Sequence, residues 1–245
     1  MCIRDSAYAP DLKAGDINEV RRLIEKYEMP VLGYTPEHNA YPYNYMIGSE
    51  AQRRDAVDYL KLSLEMAKEM GAEFVLTSPA NGGYLATYDQ LWSRLEKNIQ
   101  ELGDYAAKLE IKLVVEALTP YESNFFTRAN DLVELFRRVD NPYVVGMCDI
   151  VPPFVQHESI MAYFDKLGNK MDHMHIIDGE NGSDTHLIPG EGNIPIKEML
   201  YEMKRIGYDK TATLELVTNY INEPRFYAKR AIDNMRELMA EAGIV

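Results

Sequence analysis

Four ionisable residues in this 245-residue chain recur in one kind of place, toward the C-terminal ends of successive short apolar runs. Leu113-Val114-Val115 ends in Glu116, Val144-Val145-Gly146-Met147-Cys148 ends in Asp149, Met174 is followed by His175, and Ala212-Thr213-Leu214 ends in Glu215. Three carboxylates and an imidazole form a donor set for one divalent cation with open positions. Its oxygen-rich character favours Mn, Mg or Co over a structural zinc site, while Ni and Zn fit the donors as well. A lone strand-end carboxylate would read as a helix cap or an ion-pair partner, but four in succession read as a metal site.

The same residues carry a second chemistry. A cation on a ketose carbonyl and its neighbouring hydroxyl acidifies the adjacent C–H. Glu116 and Glu215 could then act as an acid/base pair, one removing the proton to leave an enediolate and the other returning a proton to the opposite face. The strands that carry them are three apart in order, which allows opposed approach. Of the two histidines of the His173–Asp178 run, His175 is the better ligand candidate; His173 reads as a supporting or core residue.

These residues must be held by the elements around them. Apolar, β-branched runs predict strands at Pro30–Thr35, Glu73–Ser78, Lys112–Ala117, Tyr143–Ile150, His173–Asp178 and Thr211–Leu216. Helical periodicity falls before and between them, at Asp16–Tyr27, Ser49–Met70, Asp89–Leu109, Asn130–Val139, Glu158–Leu167, Ile196–Ile206 and Pro224–Ala242. Alternating strands and helices predict βα units and a parallel sheet. A closed barrel of this class has eight strands and carries its site on the loops after their C-terminal ends. The fold expected is therefore α/β, a TIM (β/α)8-type barrel with six strands present in one domain, residues 7–245. A six-stranded doubly wound sheet is the alternative, although no Gly-rich phosphate loop follows any strand.

Met1-Cys2-Ile3-Arg4-Asp5-Ser6 matches the translation of a sequencing-library adapter. Residues 1–6 are accordingly expected to be an artefact, and an initial strand–helix–strand to be missing from the barrel.

Two loops could add substrate contacts. Asp184-Thr185-His186, followed by Pro189-Gly190-Glu191-Gly192, either supplies hydrogen bonds or a further ligand, or is a solvated turn. The aromatic segment Gly33–Tyr45, with Tyr34 near its start, is either a wall over a sugar or packing at a subunit interface. Trp92 lies in a helical pattern and reads as outer packing.

Composition narrows the partners. Lys plus Arg number 26 against 39 Asp plus Glu, a net charge of −13, which weighs against nucleic acid. No apolar run approaches the roughly 18 residues of a membrane span. Cys2 and Cys148 form no zinc-type or redox-type pair, so a reducing cytoplasm is the simplest home.

Longer runs carry a family resemblance from about Ala9 to Ile232. They include Ala9–Gly15, Gly33-Tyr34-Thr35-Pro36-Glu37, Leu118–Asn124, Ser159–Gly168, Ser183–His186 with Ile188–Gly192, and Leu214-Glu215-Leu216-Val217. The chain resembles the xylose isomerase-like TIM barrels, and within them the enzymes that interconvert C3 epimers of ketose derivatives of the fructoselysine and psicoselysine type. That resemblance implies an isomerase with one divalent metal on Glu116, Asp149, His175 and Glu215, with Glu116 and Glu215 as the epimerising pair. It also implies a substrate contact at Glu122, a small-molecule sugar substrate and a homo-oligomer when full length. Where relatives carry histidines the chain has Pro152 and Asn81, so contacts on that side must differ or fall to His186. Another ketose 3-epimerase or sugar isomerase is the first alternative, and a metal-dependent nuclease for abasic DNA is the weaker one.

Overall fold

The computed structural model describes residues 2–4, 8–39, 42–180 and 182–244. The chain divides into two compact units, Met1–Gly146 and Met147–Val245.

In the first unit, strands β1 (Cys2–Arg4), β2 (Gly33–Thr35), β3 (Phe74–Thr77), β4 (Lys112–Val115) and the start of β5 (Val144–Asp149) pair in parallel with their sequence neighbours. The backbone of Cys2–Arg4 pairs with Gly33–Thr35 as a strand, where the sequence reading expected residues 1–6 to be an artefact outside the fold. An edge strand exposes unpaired N–H and C=O groups, and a neighbouring extended segment satisfies them whatever its side chains.

Phe74–Thr77 and Val144–Asp149 are buried at every position, the pattern of parallel strands covered on both faces. In the first unit two long helices pack against β3 and β4. Ser49 and Gln52 form a reciprocal cap at the start of Glu50–Met70, and Gly71 ends that helix in a left-handed conformation. Thr87 and Gln90 repeat the cap at the start of Tyr88–Leu109. Leu60, Leu64, Leu95, Ile99 and Leu102 are fully buried, forming the apolar stripes these helices turn inward. Trp92 is buried against Phe125 and Phe126, with the Arg138 guanidinium 4.9 Å from its ring centre, so it packs the outer layer as its periodicity predicts.

The second unit opens on the last three residues of β5 and holds β6 (Met171–Ile176) and β7 (Thr211–Leu214), paired in parallel. Helices Met161–Leu167, Ile196–Ile206 and Pro224–Glu241 pack with them. The helix expected over 158–167 is shorter, and a separate helical turn, Val151–Val155, precedes it. Pro152 and Pro153 suit the first turn of a helix, where their missing N–H groups have no intrahelical role. Strand β6 starts two residues earlier than its sequence predicts, because the turn Gly168–Lys170 leads straight into Met171. Among the described residues no helix is long and apolar enough to cross a membrane.

Candidate metal centre

Strand β5 ends at Asp149, β6 passes through His175, and Glu215 is the first residue after β7. The β6–β7 register sets His175 beside Thr213 and Ile176 beside Leu214, so Glu215 follows at the same end of the sheet. All three side chains are buried, at 5%, 3% and 6% exposure, which is unusual for ionisable groups without a cation or hydrogen-bond partners.

Asp149, His175 and Glu215 each offer a donor atom, and these atoms lie within 4.8 Å of one another. His175 Nδ1 is 3.0 Å from Glu215 Oε2. With ion–donor distances of about 2.0–2.2 Å, donors on opposite sides of an ion stand about 4.3 Å apart, so the spacing fits a single small divalent cation. The donor chemistry fits it too: two carboxylates and an imidazole are ligands such a cation takes.

His186 approaches the same carboxylates from the loop after β6. Its Nε2 lies 3.4 Å from both Asp149 Oδ2 and Glu215 Oε2, and its Nδ1 is 3.5 Å from Asp184 Oδ1. The sequence left this loop open between a working element and a solvated turn; the structure brings its histidine to the buried carboxylates. Burial opposes the charge on Asp149, but the His186 hydrogen bond, the nearby His186 and His175, and the Val151 N–H outweigh it. The carboxyl is held below its ordinary range, as an anionic ligand requires.

His173 sits one pleat below His175, its ring edge-on to the His175 ring at 5.4 Å between centres. Its Nδ1 is 2.7 Å from Thr211 Oγ1 and its Nε2 is 3.1 Å from Thr213 Oγ1. Burial, reinforced by His175, pushes its pKa down to about 3, so it stays neutral. His173 is thus a buried residue held by Thr211 and Thr213.

The remaining candidates belong to the first unit. Glu116 follows β4 directly and is buried at 7% exposure. Glu122 is exposed, and its Oε2 accepts from the Thr119 N–H and hydroxyl at 3.2 and 2.9 Å. Tyr34 is fully buried and hydrogen-bonded to Tyr59, inside the unit. Most of the aromatic segment is tied down in the same way. His38 links Pro36 O to the Ser78 N–H, Tyr45 donates to Ser78 O at 2.7 Å, and Tyr43 stacks on Tyr59. Ala40 and Tyr41 lie outside the described residues. The Asn81 side chain accepts from the Gly83 N–H and so closes its own loop.

Sequence reasoning missed the part played by Asp178. Its carboxylate, 1% exposed, accepts the Gly179, Gly190 and Ile194 N–H groups, each at 2.9 Å. The signal available was weak: an acidic residue just past a strand, with a Pro-Gly-x-Gly turn beginning eleven residues later at Pro189.

The family model described as xylose isomerase-like TIM barrel matches residues 1–238. Fructoselysine 3-epimerases of Shigella flexneri and Escherichia coli O157:H7 are each 48% identical over 238 residues, covering 97% of this chain and 86% of theirs. A solved D-tagatose 3-epimerase-like protein shares the fold with a TM-score of 0.82 at 20% identity, over 99% of this chain and 88% of its own. With strands, strand-end residues and sequence in agreement, the chain belongs to the xylose isomerase-like TIM barrel family.

Proposed function

We propose that this chain is a metal-dependent carbohydrate epimerase that inverts C3 of a ketose derivative of the fructoselysine type. The observation that carries the reading is the buried Asp149–His175–Glu215 cluster at the strand ends, in a chain 48% identical to fructoselysine 3-epimerases. Glu116, the buried carboxylate at the corresponding end of β4, is the fourth ligand. The oxygen-rich set suits Mn, Mg or Co. The buried Cys148 thiol, outside any disulfide, suits a reducing cytoplasm.

When bound, the cation supplies Lewis acidity, polarising the substrate carbonyl so that the neighbouring C–H becomes acidic. The chain's own groups do the rest. One of Glu116 and Glu215 takes the C3 proton as a carboxylate, and the electron pair left behind forms the enediolate. The other, as a carboxylic acid, returns a proton to the opposite face of C3, and the configuration inverts. His186 and Asp184 hydrogen-bond the substrate oxygens from the loop after β6, and Glu122 binds a hydroxyl from the loop after β4. Tyr34 acts from behind, buttressing the β2 end through Tyr59. Burial around the cluster excludes water that would compete for these protons.

Solvent deuterium tests the mechanism. Turnover in D2O should place deuterium at C3 of fructoselysine and its epimer, and Glu116→Gln should abolish that incorporation. Retention of the original C3 hydrogen through inversion would sink it.

A further inference from the structure

The loop that brings His186 to the carboxylates has little regular structure of its own, yet it is closely tied. The Asp178 and Leu187 backbones exchange two hydrogen bonds of 2.8 Å, the sole antiparallel bridge of this stretch among the described residues, and Leu187 directly follows His186. The Asp178 side chain then reaches past this bridge. Its Oδ1 accepts from Gly179 and Ile194, and its Oδ2 from Gly190, so one carboxylate closes both ends of the following turn. The fit leaves no slack: a Cβ on Gly192 would stand 2.5 Å from Asp178 Oδ1 and 2.5 Å from the Gly179 carbonyl oxygen. On its other side the loop is tied by single bonds to separate residues. Tyr220 OH accepts the Ile188 N–H at 2.9 Å, and Asn234 donates to the Pro189 carbonyl at 3.0 Å.

A carboxylate buried to this degree is normally matched by a cation or by several N–H donors, and here it is the donors. They belong to the stretch that continues from His186. We infer that Asp178 is a positioning residue: by fixing Gly190 and Ile194 to the end of β6 it holds His186 at hydrogen-bonding reach of Asp149 and Glu215. Asp178 touches no reacting atom. The catalytic part of this inference rests on the proposed epimerase reading, whereas the positioning part does not.

Asp178→Asn is the discriminating variant. It preserves size and one acceptor, but turns an NH2 toward an N–H that Asp178 accepts, so Gly190 or Ile194 must let go. In the metal-free protein, amide exchange at Gly190–Ile194 should accelerate and the His186 imidazole NMR signals should shift, with circular dichroism unchanged. Titration with Mn2+ alone should give the wild-type affinity, because the ligands are intact. With fructoselysine, kcat should fall about 10- to 100-fold, the usual cost of losing a group that orients a working residue. His186→Gln combined with Asp178→Asn should be no slower than His186→Gln alone, since both remove one function. Asn234→Ala, which cuts a tie on the loop's far side, should leave kcat near wild type.

Unchanged exchange at Gly190 and Ile194, additive losses in the double variant, or an equal loss in Asn234→Ala would each overturn the assignment. If the wild type has no epimerase activity while exchange and His186 signals still shift, the proposed function falls and the positioning role stands.

Discussion

His175 Nδ1 stands 3.0 Å from Glu215 Oε2, both side chains buried, on strands whose register places His175 beside Thr213. Glu215, two residues past Thr213 and just beyond the end of β7, thus brings its carboxylate to the imidazole. The pair shares a low-dielectric site with Asp149, where three potential ligands bring up to two negative charges and few means of solvating them. A divalent cation resolves that conflict.

Metal binding should therefore stabilise the fold measurably. Mn2+ at about 100 times its dissociation constant should add about 2.7 kcal/mol by mass action. Calorimetry should find one ion per chain and a melting temperature that rises with Mn2+. Glu215→Gln and His175→Ala should each weaken binding by more than about 100-fold, beyond the 10- to 100-fold typical of losing a supporting partner. Full Mn2+ affinity in either variant would remove that residue from the ligand set.

Much of this site is legible in the sequence for a physical reason. Parallel strands buried on both faces read as continuous apolar runs, so an ionisable residue ending such a run stands out, as Glu116, Asp149 and Glu215 do. The expected strand order also follows from βα alternation. What the sequence hides is set by backbone geometry. Asp178 works by accepting backbone N–H groups, which leave no trace in residue type, and β1 is recognised by its backbone pairing with β2. Tyr34, read with its aromatic segment as a wall over a sugar or packing at a subunit interface, is fully buried, and its hydroxyl partner Tyr59 lies on the helix Glu50–Met70, a long-range contact that local sequence pattern does not reveal.

Glu122 offers a test of substrate contact that leaves the metal alone. It is exposed and held by Thr119, so Glu122→Gln should fold and bind Mn2+ as the wild type does. A lost charge-assisted hydrogen bond to a sugar hydroxyl is worth about 1.5–3 kcal/mol, so kcat/KM should fall about 10- to 150-fold. Steady-state kinetics with fructoselysine would check this, and an unchanged kcat/KM would exclude Glu122 from the substrate site.

Tyr45 predicts alkaline sensitivity. Its hydroxyl is buried and donates to Ser78 O, and burial raises its pKa well above 10. Between the unfolded value near 10 and the higher folded one, the native chain keeps a proton that the unfolded chain releases. Stability is then fully present below pH 10 and is lost as pH rises, at about 1.4 kcal/mol per unit for this one group. Tyr45→Phe should cost about 1–2 kcal/mol at pH 7 by leaving the Ser78 carbonyl without its donor, yet flatten the decline above pH 10. Urea unfolding at pH 7 through 11 would show both effects; an equally steep decline in the variant would clear Tyr45.

Leu95 is fully buried in the helix Tyr88–Leu109, within a first-unit core that also holds Leu60 and Ile99. Leu95→Ala removes three carbons from a close-packed interior that relaxes only in part, at a cost of about 2–5 kcal/mol. Chemical denaturation should show a lower midpoint with an unchanged slope. Because Leu95 is none of the proposed ligands, the folded fraction should still bind Mn2+. A stability loss below about 1 kcal/mol would mean that the helix repacks, and that the stripe through Leu95 contributes less than its burial implies.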